Sequence, residues 1–195
     1  MSTARSQRPK AFDSLTLKRI LRECCRVGVS LETNTTDLDV EEVASRDTIY
    51  HEYLCTLLLY GSSMNVIFKL HSMGDDLRHI AAPKYRCEIS KINQSQIRDT
   101  LKEISNILAG KIQSLFKELK LDIFHSLPFC IEGYNEIFFQ RKEVSLKDNF
   151  AIVGPDFKIV VSEEFEITEP SSLPPLDGID VNSLISGKKN PIEFF

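Results

Sequence analysis

Between residues 94 and 120, apolar side chains return at every third or fourth position: Ile97, Leu101, Ile104, Leu108, Ile112, Leu115 and Leu119. That spacing predicts one long amphipathic helix with a core-facing stripe. A second series, Asp99, Glu103, Asn106 and Gly110, recurs at steps of four, three and four. At about 100° per residue its centre lies nearly opposite the apolar stripe. Asn and Gly both weaken a helix interior, Gly by about 1 kcal/mol relative to Ala. Their place on the outward stripe points to a surface that binds something.

The flanking segments predict strands and shorter helices. Ser14 is a candidate cap for a first helix with Leu17, Ile20, Leu21, Cys24 and Cys25 on its apolar face and Gly28 at its end. Residues 31–47 are polar and acidic and read mostly as loop. Residues 48–59 and 65–71 are rich in β-branched, aromatic and aliphatic side chains, and Tyr60-Gly61-Ser62-Ser63 between them reads as a hairpin turn. A short helix over 73–80 should end before Pro83. Residues 85–92 read as either a strand or a loop. After the long helix, 121–126 alternates as a strand until Leu127-Pro128 breaks it, and 131–133 reads as a bend or bulge. Strands follow at 136–141, 150–153 and 157–167, the last two joined by the turn Gly154-Pro155-Asp156. Helices and strands are segregated along the chain. The expected class is therefore α+β, a largely antiparallel β-sheet covered on one face by long helices.

Composition narrows the picture. At 195 residues the chain is long enough for one domain with a sizeable core. It divides into an arm (1–13), a folded domain (14–167) and a Pro-rich linker and tail (168–195). The tail either stays disordered or docks through Ile192, Phe194 and Phe195. A net charge of −4 gives no general reason to bind nucleic acid or an anionic membrane. Five cysteines, at 24, 25, 55, 87 and 130, form neither a disulfide framework nor a zinc pattern, so reduced thiols are expected. No apolar run resembles a secretion signal or a membrane span, and the expectation is a cytoplasmic protein.

Candidate chemistry concentrates on the long helix. Glu103 and Asn106, three apart, project side by side. Spacing alone leaves two readings open, an ordinary solvated face or a surface that works inside a partner's active site. An amide orients a water, and a carboxylate pairs with a cation already present there. Elsewhere the signals are thinner. Asp37, Asp39 and Glu41 lack the Gly and distal Glu of a calcium loop. His125 and Cys130 have no third group, and His51, His71 and His79 have no ligand spacing.

The series Asp99-x-x-x-Glu103-x-x-Asn106-x-x-x-Gly110 resembles the signature helix of the CheC/CheX/FliY chemotaxis phosphatases. Downstream, Leu127-Pro128-Phe129-Cys130-Ile131-Glu132-Gly133 is similar to the L-P-x-x-I-x-G segment of CheX. The resemblance covers about residues 48–167 and implies a phosphatase acting on the aspartyl phosphate of a CheY-like response regulator. By the same resemblance Asn106 orients the attacking water, Glu103 pairs with the regulator's lysine, and Asp99 and Gly110 support partner binding. The chain needs no cofactor of its own on this reading, because Mg2+ belongs to the regulator. Aligning Gly28 with Gly110 puts Leu21 and Cys24 where a second Glu and Asn would stand. A single active helix is the CheX pattern, which implies a homodimer formed through the sheets. The alternative is a non-catalytic module of the same fold that docks on a regulator or a flagellar motor component.

Overall fold

A computed structural model describes residues 13–44, 51–133, 145–170 and 173. The elements run α1 (Ser14–Thr33), β1 (Asp39–Glu42), β2 (Tyr53–Gly61), β3 (Met64–Ser72), α2 (Gly74–Tyr85), a 3-10 turn (Ile89–Lys91), α3 (Gln94–Glu118), β4 (Ile123–His125), β5 (Phe129–Glu132), β6 (Leu146–Val153) and β7 (Lys158–Ile167). The strands make one sheet in the order β1-β6-β7-β3-β2-β4, with β5 also on β2. Every pairing is antiparallel. This is the expected α+β architecture.

Strand alternation decides where the core sits. In the β2–β3 hairpin, Cys55 stands opposite Leu70, Leu57 opposite Phe68 and Leu59 opposite Val66, and all six are buried. Phe150 and Ile152 of β6 and Ile159, Val161 and Phe165 of β7 continue this face across the sheet. Leu17, Ile20 and Leu21 of α1, Leu77 and Ala81 of α2 and the apolar stripe of α3 close over it in one cluster. The outer edge of β2 carries β4 opposite Leu59–Gly61 and β5 opposite Tyr53–Thr56. Pro128, which has no N–H to donate, falls in the break between them.

Several boundaries differ from the expectation. Asp13, not Ser14, caps α1, its carboxylate accepting from the N–H groups of Leu15 and Thr16. The helix does not stop at Gly28 but continues to Thr33 and turns off at left-handed Asn34. Gly28 serves packing instead, since a Cβ there would lie 2.3 Å from Leu108 Cδ2 of α3. The supposed loop at 31–47 thus begins as helix and contains edge strand β1. In α2, Pro83 sits inside the last turn, and the chain leaves the helix only at left-handed Arg86. The bond that Pro83 forfeits belongs to exposed His79, whose carbonyl water can satisfy. Residues 131–133 are not a free bend, because Ile131 and Glu132 pair with β2. The strand expected at 136–141, residues 48–50, the arm up to residue 12 and nearly all of the tail lie outside the described residues.

Buried charge marks both faces of the sheet. Beneath α1, Arg22 grips Asp148 with two bonds of 2.8 Å, and Lys18 lies 3.5 Å from the same carboxylate. Glu163 beside them is 1% exposed, and burial pushes its carboxyl up to about 8, with the charge of Asp148 adding to the shift. On the opposite face Lys69 and Glu164 pair at 3.1 Å, both almost wholly buried.

The Glu163 carboxyl gives stability a pH slope. In the unfolded chain it ionises near its ordinary value, whereas the folded protein holds its proton up to about 8. Between those values the native state binds more protons, so this group makes stability fall as pH rises through that window. Urea unfolding from about pH 5 to about pH 9 should show the fall, and Glu163→Gln should flatten it.

Candidate functional site

The site is built on α3, whose start is fixed chemically. Asn93 accepts a hydrogen bond from the Gln96 N–H at 3.1 Å, while Gln96 accepts from the Asn93 N–H at 3.0 Å. This reciprocal cap sets the first turn and therefore the rotational phase of all that follows. Ile97, Leu101, Ile104, Leu108, Ile112 and Leu115 are then all buried. Polar residues on the inner side are satisfied within the helix, Thr100 by the Gln96 carbonyl and Ser105 by that of Leu101.

With the apolar stripe committed, the opposite stripe has to face water. Asp99, Glu103 and Asn106 are exposed, and Gly110 is half-buried. All four sequence-predicted site residues therefore share one accessible face. The Asn106 amide makes no hydrogen bond among the described residues, so its donor and acceptor are both presented outward. A Cβ at Gly110 would meet nothing within 4 Å. The helix leaves an open notch there, one turn beyond Asn106.

Two residues of the site carried no signal in the sequence. The Lys84 ammonium, from the last turn of α2, bonds the Glu103 carboxylate and also Glu32 Oε1, the latter at 3.0 Å. Glu32 comes from the end of α1, so three helices converge on one ammonium. These contacts span 19 and 52 positions in the chain, beyond the reach of any periodicity. Burial alone lowers the Lys84 pKa, but the bonds to Glu103 and Glu32 outweigh it and the net shift is upward.

Beside α3, the segment 127–133 forms β5 and its approach. Arg98 of α3 pairs with Glu132 at 2.7 Å, and the Gly133 N–H bonds the Glu52 carbonyl at 2.9 Å. Gly133 has φ +106°, a conformation that requires glycine, which explains that residue at the segment's end. His125 and Cys130 do not form a couple. They oppose Leu59 and Cys55, four residues apart along β2, or about 13 Å. Among the described residues no group of three His, Cys, Asp or Glu side chains could hold a metal ion. No described helix is long and apolar enough to cross a membrane.

Chemically, this surface offers a fixed carboxylate, an unengaged amide and room for an approaching backbone. It presents no nucleophile of its own. Such a set suits a reaction whose substrate arrives on another macromolecule.

No protein-family model and no curated protein sequence matches the chain. Solved structures do match in three dimensions. The chain is similar to the chemotaxis protein CheX from Vibrio vulnificus, with TM-score 0.65, 11% identity, 75% of this chain and 97% of the other covered. It is similar to a chemotactic CheC-like protein from Shewanella oneidensis MR-1, with TM-score 0.66, 12% identity and coverages of 79% and 100%. A chain of the CheX-CheY-BeF3-Mg2+ complex from Borrelia burgdorferi superimposes with TM-score 0.64, 14% identity and coverages of 76% and 96%. The chain has the CheX/CheC-like fold.

By the alignment of Gly28 with Gly110, α1 is the candidate for a second motif helix, and it offers no second site. Leu21 and Cys24, which align with Glu103 and Asn106, are 1% and 3% exposed and form part of the core. Burial pushes the Cys24 thiol up to about 12, so it is inert at neutral pH.

The two aligned glycines should respond oppositely to the same change. Gly110→Ala should raise stability by about 1 kcal/mol through helix propensity, with no clash. Gly28→Ala should lower it by about 1 kcal/mol or more, because Leu108 must repack inside a filled core. Urea or thermal denaturation of the two variants reads the difference in sign.

Proposed function

We propose that this CheX-like chain is a protein phosphatase that hydrolyses the aspartyl phosphate of a CheY-like response regulator in the cytoplasm, ending a chemotaxis signal. The observation that carries the reading is the exposed Glu103–Asn106 face of α3, with open Gly110 behind it, on a CheX-like fold. One structural neighbour was solved together with CheY, which supports the class of partner.

In this mechanism α3 lies across the regulator's phosphorylation site. Glu103 meets the lysine ammonium beside the phosphoryl group and fixes the helix in register. Asn106 reaches inward, and its amide holds one water in line with the phosphorus. Attack by that water forms the new P–O bond and breaks the bond to the aspartyl oxygen. Inorganic phosphate and the free aspartate carboxylate are the products, and the proton leaves with the phosphate. Phosphoryl transfer of this kind asks for positioning and charge placement more than for covalent chemistry from the protein. Mg2+ belongs to the regulator's site, where it would neutralise the phosphoryl oxygens. Asp99 and Gly110 shape the docking surface, the glycine by letting the partner's backbone come close.

The face of the sheet turned away from α1, α2 and α3 supplies a candidate self-association surface. Leu58, Tyr60, Phe124 and Phe129 lie on it and are 37%, 44%, 55% and 68% exposed. Tyr60 and Phe124 pack at 6.0 Å between ring centroids. Exposed apolar side chains grouped on one face are a candidate interface, and we assign them to a homodimer that leaves α3 clear.

Decay of regulator phosphate tests the catalytic reading. The wild-type protein should speed it, and Asn106→Ala should lose about 100-fold in limiting rate while still binding the regulator. Glu103→Ala should lose binding as well, roughly 10-fold or more in affinity. Equal decay with wild type and Asn106→Ala would instead identify a binding module without catalysis. For the dimer, sedimentation should give twice the chain mass, and Phe124→Glu should give monomers with the fold retained.

A further inference from the structure

The Glu103 carboxylate already has a cation in the absence of any partner. Lys84 bonds its Oε2 and holds Glu32 Oε1 with the same ammonium. Accessibility rises across the three side chains, from 14% for Glu32 through 29% for Lys84 to 50% for Glu103. The inner carboxylate anchors the ammonium, and the outer one remains half in water. Glu103 Oε1 makes no hydrogen bond among the described residues. Two carboxylates and one ammonium leave the cluster with one negative charge in surplus.

Those features distinguish this arrangement from a simple surface ion pair. Were Glu32 absent, Lys84 and Glu103 would neutralise each other, and a second ammonium arriving at Glu103 would lose the attraction of the surplus charge. Were Lys84 absent, Glu103 would rotate freely on an exposed helix face and would have to be ordered during docking, at a cost in side-chain entropy. With both present the carboxylate is held by one oxygen and offers the other. A carboxylate has lone pairs enough for two cations. The incoming ammonium therefore completes the cluster without displacing Lys84.

We infer that Lys84 is a positioning residue for Glu103, anchored by Glu32 so that the three-helix cluster keeps one carboxylate oxygen and one unit of negative charge for a partner's lysine. The identity of that second cation rests on the phosphatase reading; the tether itself does not. Lys84 touches neither the phosphoryl group nor the water in this arrangement, so its effect belongs to docking and not to the chemical step.

The experiment is a receiver-concentration series of phosphate decay, using CheY-like receivers from the same organism phosphorylated with acetyl phosphate. It compares wild type, Lys84→Met, Lys84→Arg, Glu32→Gln, Glu103→Gln and the double variant Lys84→Met/Glu103→Gln. Lys84→Met and Glu32→Gln should each raise the half-saturating receiver concentration roughly threefold and leave the limiting rate unchanged. Lys84→Arg should restore most of the loss, and Lys84→Met should add nothing in the Glu103→Gln background. A lower half-saturating concentration for Lys84→Met would overturn the inference by making Lys84 a competitor of the partner's lysine. An equal penalty in the Glu103→Gln background would overturn it by making the role merely structural. If wild type and Asn106→Ala give the same decay, the phosphatase reading fails separately. NMR titration of the Lys84 ammonium then decides the tether, which requires a lower pKa in both Glu103→Gln and Glu32→Gln. An unmoved ammonium in Glu103→Gln would overturn it.

Discussion

Everything in this molecule depends on one helix having to bury half of itself. The seven inward apolar residues of α3 from Ile97 to Leu115 cannot leave the sheet without returning a large apolar surface to water, at about 25 cal/mol per Å². That constraint fixes the helix in rotation as well as in place. The polar stripe then has one direction available to it. Asn106 and Glu103 need no dedicated scaffold, because the core that holds the fold also aims them outward.

Two kinds of charge cluster share the scaffold, and their settings separate their roles. Beneath α1, Arg22, Lys18, Asp148 and Glu163 lie between helix and sheet, where burial is the strongest influence on Glu163. That cluster ties α1 to β6, and through a second Arg22 bond of 3.0 Å to Glu42 of β1. At the junction of the three helices, Lys84 stands between Glu32 and a carboxylate still half in water. The first centres on a carboxylate 3% exposed, and the second on a carboxylate 50% exposed.

The glycines show how one residue type serves opposite needs. Gly28 and Gly110 both lie inside long helices, α1 and α3. Leu108 fills the space beside the first, and the space beside the second is empty. A helix interior tolerates the loss in propensity in both cases. In α1 the return is close packing against α3, and in α3 it is room for a visitor. Leu21 and Cys24 of α1 went into the core, while Glu103 and Asn106 of α3 stayed out.

Local pattern was enough for the class of fold, the long helix, the hairpin and the outward stripe, because period and polarity are properties of neighbouring residues. Resemblance of that stripe to a known helix motif added the candidate roles of its residues. Chain ends of elements were less legible. Gly28 and Pro83 are strong local stop signals, and in both helices the surrounding packing overrode them. The acidic stretch at 39–42 became an edge strand because β6 offered a partner, which no local rule reports. Lys84 and Glu32 were illegible for a simpler reason. Their relation to Glu103 exists only where the ends of two helices fold against the middle of a third, so the sequence determined which side chains face water and the tertiary structure alone decided which of them meet.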